Sequence, residues 1–182
     1  KVDLSVADLD RNVYENYSLT LAQHPSENDA RVMVRLLAFM LFADERLEFG
    51  KGLSTDDEPD LWLKDLTGAI KLWIYVGQLD ERWLRKAAGR AAQVVVVSYG
   101  DRVADVWWEQ NRAKLEKLSN LTVLRLSSDD TQALAGLASR STIRRRVAIS
   151  SSTRGRAGVA LIWGNAATAW STIRRSFVRA FG

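Results

Sequence analysis

The chain has no cysteine and a single histidine, His24. The first absence excludes disulfides, iron–sulfur clusters and thiolate zinc sites, and the second excludes any multi-histidine metal site. No apolar run approaches the roughly 20 residues of a helical membrane span. The opening Lys1-Val2-Asp3-Leu4 has no apolar stretch behind the lysine, which reads against a secretory signal. There is no initiator Met, so the chain is read as beginning inside a longer one, and a cytoplasmic location is the default expectation. Acid is also missing where it would be needed to balance charge: residues 141–182 hold 8 Arg and not one Asp or Glu. No serine sits in a nucleophile motif, Ser26, Ser150, Ser151 and Ser152 included, so a serine hydrolase reading has no support.

What is present is the composition of a soluble globular protein, with 47% hydrophobic and 26% charged residues. A length of 182 residues suits one domain with a proper core. Residues 1–140 carry 18 Lys/Arg and all 22 Asp/Glu, so the net charge of +4 comes entirely from the C-terminal stretch. Such asymmetry marks either a phosphate-binding basic arm or a segment foreign to the rest. We therefore divide the chain into an α/β domain over 1–140 and an atypical basic segment of the same domain over 141–182. The pentapeptide Ser-Thr-Ile-Arg-Arg occurs at 141–145 and again at 171–175. Two short copies do not make a solenoid.

Periodicity sets the elements. Val2, Leu4 and Val6 alternate with polar residues, and Tyr17, Leu19 and Leu21 do the same, so strands are expected over 2–6 and 13–21. His24-Pro25-Ser26 stops the second, with His24 as a turn or capping residue. Ser26 and Asp29 resemble a capping box, and Val32, Met33, Leu36, Leu37 and Met40 follow at helical spacing, so a central buried helix is expected over 27–45. Residues 50–59 read as a loop. Strands are expected over 60–64, 69–76, 93–98 and 121–126. The Val94-Val97 run is typical of a strand buried on both faces. Helices are expected over 80–90 with Asp80 as N-cap, over 103–118 with Val103, Val106, Trp107 and Leu115 inward, and over 128–139 capped by Ser128. Of Trp107 and Trp108, one is core and the other boundary. Short strands at 147–150 and 159–163 and a basic helix at 167–181 complete the chain. Strands alternating with helices predict a mixed sheet with a parallel portion.

A hairpin turning at Thr67-Gly68 places Trp62 opposite Trp73, Lys64 opposite Lys71 and Asp60 opposite Tyr75. Leu61, Leu63, Leu72 and Ile74 then share an apolar face, and Asp60, Trp62, Trp73 and Tyr75 share the other. The Trp62–Trp73 pair either shapes a base-binding wall or packs under a helix. Arg144-Arg145-Arg146 either grips phosphate or is a solvated charge run.

Several segments, in this order, resemble the YaeQ family of bacterial proteins of unknown function. They are His24-Pro25-Ser26-Glu27, Arg35-Leu36-Leu37-Ala38, Asp57-Glu58-Pro59, Trp73-Ile74, Val76-Gly77-Gln78, Arg85-Lys86-Ala87 and Trp107-Trp108. The match runs from residue 1 to about 140. It implies a restriction-endonuclease-like variant of the PD-(D/E)XK nuclease fold, α/β with flanking helices. It also implies an ancestral Mg²⁺- or Mn²⁺-dependent hydrolysis of nucleic-acid phosphodiesters. By resemblance Asp60 matches the first strand acid and Glu27 an extra helical carboxylate, the two metal ligands. Lys86 stands in for the usual lysine, whose slot falls at Gly77, and Gln78 flanks the site. Two carboxylates sharing a divalent cation lower the pKa of its water and offset phosphoryl charge.

The chain departs from the family in two places. Tyr75 stands where the family usually carries Glu, and a neutral phenol is a poor ligand for a hard cation, so metal binding and catalysis are expected to be impaired. Residues 141–182 read either as a genuine basic arm or as an out-of-frame reading of a GC-rich gene. Two functions follow: a metal-dependent nuclease weakened at Tyr75, or a non-catalytic module that binds nucleic acid or protein.

Overall fold

The computed structural model describes residues 1–8, 13–51, 58–138, 145–152, 156–163 and 166–173. Its centre is a five-stranded mixed sheet in the order β3-β4-β5-β6-β7. These strands are β3 (Leu47–Phe49), β4 (Leu61–Lys64), β5 (Ile70–Val76), β6 (Ala91–Tyr99) and β7 (Leu121–Leu126). The first three are antiparallel and β5, β6 and β7 are parallel. The parallel crossovers are made by α2 (Glu81–Ala88) and α3 (Asp101–Leu115). A second sheet, β10-β9-β8-β1-β2, joins the two ends of the chain. In it β1 (Val2–Asp8) pairs antiparallel with β2 (Val13–Leu19) and parallel with β8 (Arg145–Ser152). The remaining strands are β9 (Arg156–Trp163) and β10 (Ala166–Ile173).

Between the sheets lies α1 (Asp29–Leu41), whose residues from Met33 to Met40 are all buried. A helix buried all round is one packed from every side. Its cluster takes Leu4 and Val6 from β1, Leu72, Ile74 and Val76 from β5, Val95 and Val97 from β6, and Leu134 from α4 (Ser128–Ala138). The alternate residues of the same strands, Trp73, Tyr75, Val94 and Val96, face the other way and meet Leu84 and Ala87 of α2 and Trp107 of α3. Val94 to Val97 are each 0% exposed, as the unbroken apolar run requires. Each such burial is worth on the order of 2 kcal/mol.

The hairpin holds its expected register at Leu61–Ile74, Trp62–Trp73 and Leu63–Leu72. Beyond it a bulge pairs Lys64 with Ile70 instead of Lys71. The cause is Asp65, whose carboxylate accepts from the Thr67 and Ala69 backbone N–H groups and from the Thr67 hydroxyl. The loop therefore spans Leu66-Thr67-Gly68, with Gly68 at φ +87°, a conformation that suits glycine.

Other expectations change for local reasons. The cap of α1 is Asn28, which accepts from Arg31 N, because Ser26 Oγ is held by His24 Nδ1 at 2.7 Å within the preceding turn. The cap of α4 is Ser127, whose Oγ accepts from Asp130 N. Ser128 instead exchanges hydrogen bonds with Asp101. Val103 and Val106 are exposed, since the inward stripe of α3 is Ala104, Trp107 and Leu115. Trp107 is the core member of its pair and donates Nε1–H to Leu79 O, with Trp108 at the boundary. The short β3 was not expected; it has three residues and its pairing with β4 carries it. The basic helix proposed over 167–181 is corrected as far as residue 173: this stretch is β10, paired antiparallel with β9. An available strand edge and the β-branched Thr168, Thr172 and Ile173 outweigh the helical tendency of its alanines. Residues 52–57 of the expected loop, with Asp57 of the resemblance, lie outside the described residues, as does Arg144.

Candidate functional site

Just before the Asn28 cap and along the first turns of α1, Glu27, Arg31 and Arg35 recur at every fourth residue, the two arginines flanking the apolar Val32-Met33-Val34. Residues spaced by four share a helix face, and this face looks onto the ends of β4 and β5. Glu27, Arg35 and Asp60 are buried there, with Arg35 at 0% exposure, and Arg31 keeps a narrow opening to solvent.

Arg31 sits between the two carboxylates. Its Nη2 donates to Asp60 Oδ1 at 2.7 Å, its Nε lies 3.4 Å from Glu27 Oε1, and its Nη1 donates to the Val76 carbonyl. Arg35 Nη1 lies 3.1 Å from both Glu27 oxygens and donates to Ala22 O. Its Nε is 3.6 Å from Asp60 Oδ1, and its guanidinium carbon is 5.5 Å from the Phe49 ring centroid. The other Asp60 oxygen accepts from Val76 N at 2.7 Å. Two carboxylates and two guanidiniums thus neutralise each other out of water, the pairing that buried charges need. Burial pushes the Asp60 carboxyl above the usual range, opposed by Arg31, the Val76 N–H and Arg35, and reinforced by the charge of Glu27.

Gly77 makes the close approach feasible. Its φ is +110°, and a Cβ there would come within 3.2 Å of Arg31 Nη1. Gln78, the next residue, donates Nε2–H to Ser98 Oγ at 3.1 Å and to Tyr99 O. It ties the loop after β5 to the end of β6.

The structure therefore brings Glu27 and Asp60 together, with Gln78 one residue beyond the Gly77 that packs on Arg31, but not Lys86. Lys86 is exposed on α2, with its ammonium 5.2 Å from the Trp83 ring, and α2 covers the sheet face opposite α1. The expectation that Asp60 faces Tyr75 is overturned. Tyr75 is 4% exposed and packs with Trp73, Leu84 and Val96 on the α2 side, whereas the Asp60 carboxylate turns to the arginines of α1. The physical reason is that Asp60 precedes β4 at a bend, so strand alternation does not govern its side chain. The donor set does not fit a divalent cation. Both Asp60 oxygens and both Glu27 oxygens are engaged by donors, and among the described residues no three His, Cys, Asp or Glu side chains come together as metal ligands. Sequence reasoning missed Arg31 and gave Arg35 no role. Two basic residues at spacing four among buried apolar positions were the available signal.

Comparison with known proteins places these features in a family. The family described as YaeQ protein matches residues 1–154. The uncharacterized protein YaeQ of Escherichia coli K12 is 46% identical over 140 residues, 77% of each chain. That of Salmonella typhi is 44% identical over the same length and share. A YaeQ crystal structure from Xanthomonas axonopodis pv. citri superposes with a TM-score of 0.82 at 44% identity, covering 96% of this chain and 95% of its own. One from Pseudomonas syringae gives 0.79 at 32% identity, with 95% and 90% covered. A chain matched by the family over most of its length, and by relatives at this identity, belongs to the YaeQ family.

Proposed function

We propose that this chain is a nucleic-acid-binding member of its family that does not cut its ligand. The observation that carries the reading is the position of Arg31, whose guanidinium lies between Glu27 and Asp60 where a metal-dependent phosphodiesterase would hold its cation. A fixed guanidinium offsets the carboxylate charge but cannot activate water as a Lewis acid does. The resemblance to PD-(D/E)XK nucleases supplies the class of partner. The eight arginines of residues 141–182, unbalanced by acid, supply the charge to engage phosphates.

The test is fluorescence anisotropy with DNA and RNA oligonucleotides over a salt series, alongside a cleavage assay in Mg²⁺ and Mn²⁺. Binding is expected to weaken with a log–log slope of about −0.9 per duplex phosphate contact. Changing Arg174, Arg175 and Arg179 together to Gln should flatten that slope, and no cleavage product should form. Deleting the whole segment is not a clean control, because β8 pairs with β1. Metal-dependent cleavage lost in Asp60→Asn would overturn the non-catalytic reading, and absence of salt-sensitive binding would overturn the choice of partner.

A further inference from the structure

The negative charge of residues 1–140 is unevenly spread. Residues 80–90 and 112–117 hold seven Lys/Arg and three Asp/Glu, whereas the rest of 1–140 holds 11 against 19. The structure joins these two stretches into one surface. Trp107 donates to Leu79 O, which sets the start of α2 beside the middle of α3, and Lys114 reaches Glu81 at 3.6 Å. Asn120 donates to Ala88 O and Ala91 O, so the two helices end side by side. Leu84 and Ala87 are the buried residues of α2, which leaves Arg82, Arg85, Lys86 and Arg90 exposed, with exposed Lys114 and Lys117 beside them. Asp80 pairs with Arg82, and Glu81 with Arg85 and Lys114. Arg112 and Glu116 offset each other, and Glu58, near Arg90, is matched by Lys51. An excess of four cations remains.

Basic side chains in a last helical turn suit the negative end of the helix dipole, which accounts for Arg85, Lys86 and Lys114. It does not account for Arg82, in the first turn of α2 where the dipole opposes a cation, nor for Arg90 and Lys117 beyond the helix ends. Arg82 and Lys86 share one stripe of α2, about 6 Å apart along its axis. Exposed cations in such a row engage phosphates without reading bases.

We propose that α2 and the end of α3 form the surface that grips the phosphate backbone of nucleic acid. The class of partner rests on the function proposed above; the charge and its place in the fold do not. This surface lies on the side of the central sheet opposite Glu27 and Asp60, because Leu84, Ala87 and Leu115 pack on the side chains that point away from α1. Nucleic acid held there is kept from the carboxylates by the thickness of the sheet.

The experiment follows the anisotropy of a short DNA duplex over a salt series with the full chain. One variant combines Arg82→Gln, Lys86→Gln and Lys117→Gln. These side chains are exposed, and the Asp80 cap bonds the Arg82 backbone N–H, so its circular dichroism should match the parent. The log–log slope should become shallower by about 0.9 for each contact removed. Arg82→Lys with Lys86→Arg and Lys117→Arg should retain the slope, since the charges remain. Arg46→Gln with Lys71→Gln, exposed cations elsewhere, should also retain it. Because the chain has no cysteine, a single introduced one carries a photo-crosslinker to a chosen face. Ala113→Cys, exposed one residue before Lys114, should crosslink to the duplex, and Ser26→Cys, next to Glu27, should not. A slope untouched by the triple Gln variant, or crosslinking from Ser26→Cys and not from Ala113→Cys, overturns this surface and leaves the function proposed above standing. Absence of binding to DNA or RNA in any salt overturns both. Binding to phosphatidylserine vesicles in place of oligonucleotides, lost in the triple Gln variant, would show a membrane-facing surface and overturn the inference.

Discussion

Arg31 meets Asp60 at 2.7 Å with one end of its guanidinium and the carbonyl of Val76 with the other. One side chain thus fastens α1 to both the bend before β4 and the end of β5. Arg31→Ala would leave Asp60 and Glu27 to share Arg35 alone. Breaking a buried pair from one side costs about 3–5 kcal/mol, and urea unfolding should show a loss of that order. The same variant opens space for a cation between two carboxylates, so Mn²⁺ should raise its melting temperature and leave the parent unchanged. Equal stabilisation of both proteins by metal would show that Arg31 does not hold the cation's place.

Tyr75→Glu is expected to destabilise strongly, because it buries a carboxylate among the apolar side chains of Trp73, Leu84 and Val96. Divalent metal should not recover the loss, since the Asp60 carboxylate is committed to α1. Tyr75→Phe keeps the ring and should cost far less. Metal rescue of the Glu variant in thermal melts would reverse the assignment of these two residues to opposite faces.

The acid limb of stability has two opposing parts. Asp60 has its folded pKa raised by burial. In the window between about 3.9 and the folded value, the folded chain holds the extra proton. The Asp60 contribution is therefore fully present below about pH 3.9 and is lost as pH rises through the folded value. Asp65, Asp80 and Asp101 are held low by hydrogen bonds led by Thr67, Arg82 and Ser128. Their contributions are present above about pH 4 and lost on acidification. Asp60→Asn should remove the first trend and keep the second. Parallel pH profiles of unfolding free energy for the parent and Asp60→Asn would contradict the raised value.

Gly77→Ala should destabilise by about 1–3 kcal/mol. It forces a side chain into φ +110° and a methyl group to 3.2 Å from Arg31 Nη1. The loss should shrink in an Arg31→Ala background, where the second conflict is gone. A double-mutant cycle measures that coupling, and strict additivity would mean that only the backbone matters.

The central sheet was legible wherever hydrophobic periodicity had no competitor. The doubly buried Val94–Val97 strand, the Asp80 cap and the Trp62–Trp73 pair all came from local pattern. The site was less legible because alternation was carried one residue too far, past the bend at Asp60. Sequence pattern also does not say which sheet face a helix covers, and that is what separates Lys86 from Asp60. At the C-terminal end, a basic helix was expected where β10 pairs antiparallel with β9, the strand just before it in sequence. The β-branched Thr168, Thr172 and Ile173 were the local signal for a strand there.

The parallel pairing of β1 with β8 also bears on how the protein comes to be folded. Leu4 lies beside Arg145 in that ladder, so β1 waits for a strand made much later in the chain. Contacts this distant in sequence are slow to form. Until they do, the β1–β2 hairpin presents an open backbone edge to any passing strand. A chain halted before β8 would keep that edge for its lifetime, which makes truncated forms the natural candidates for self-association.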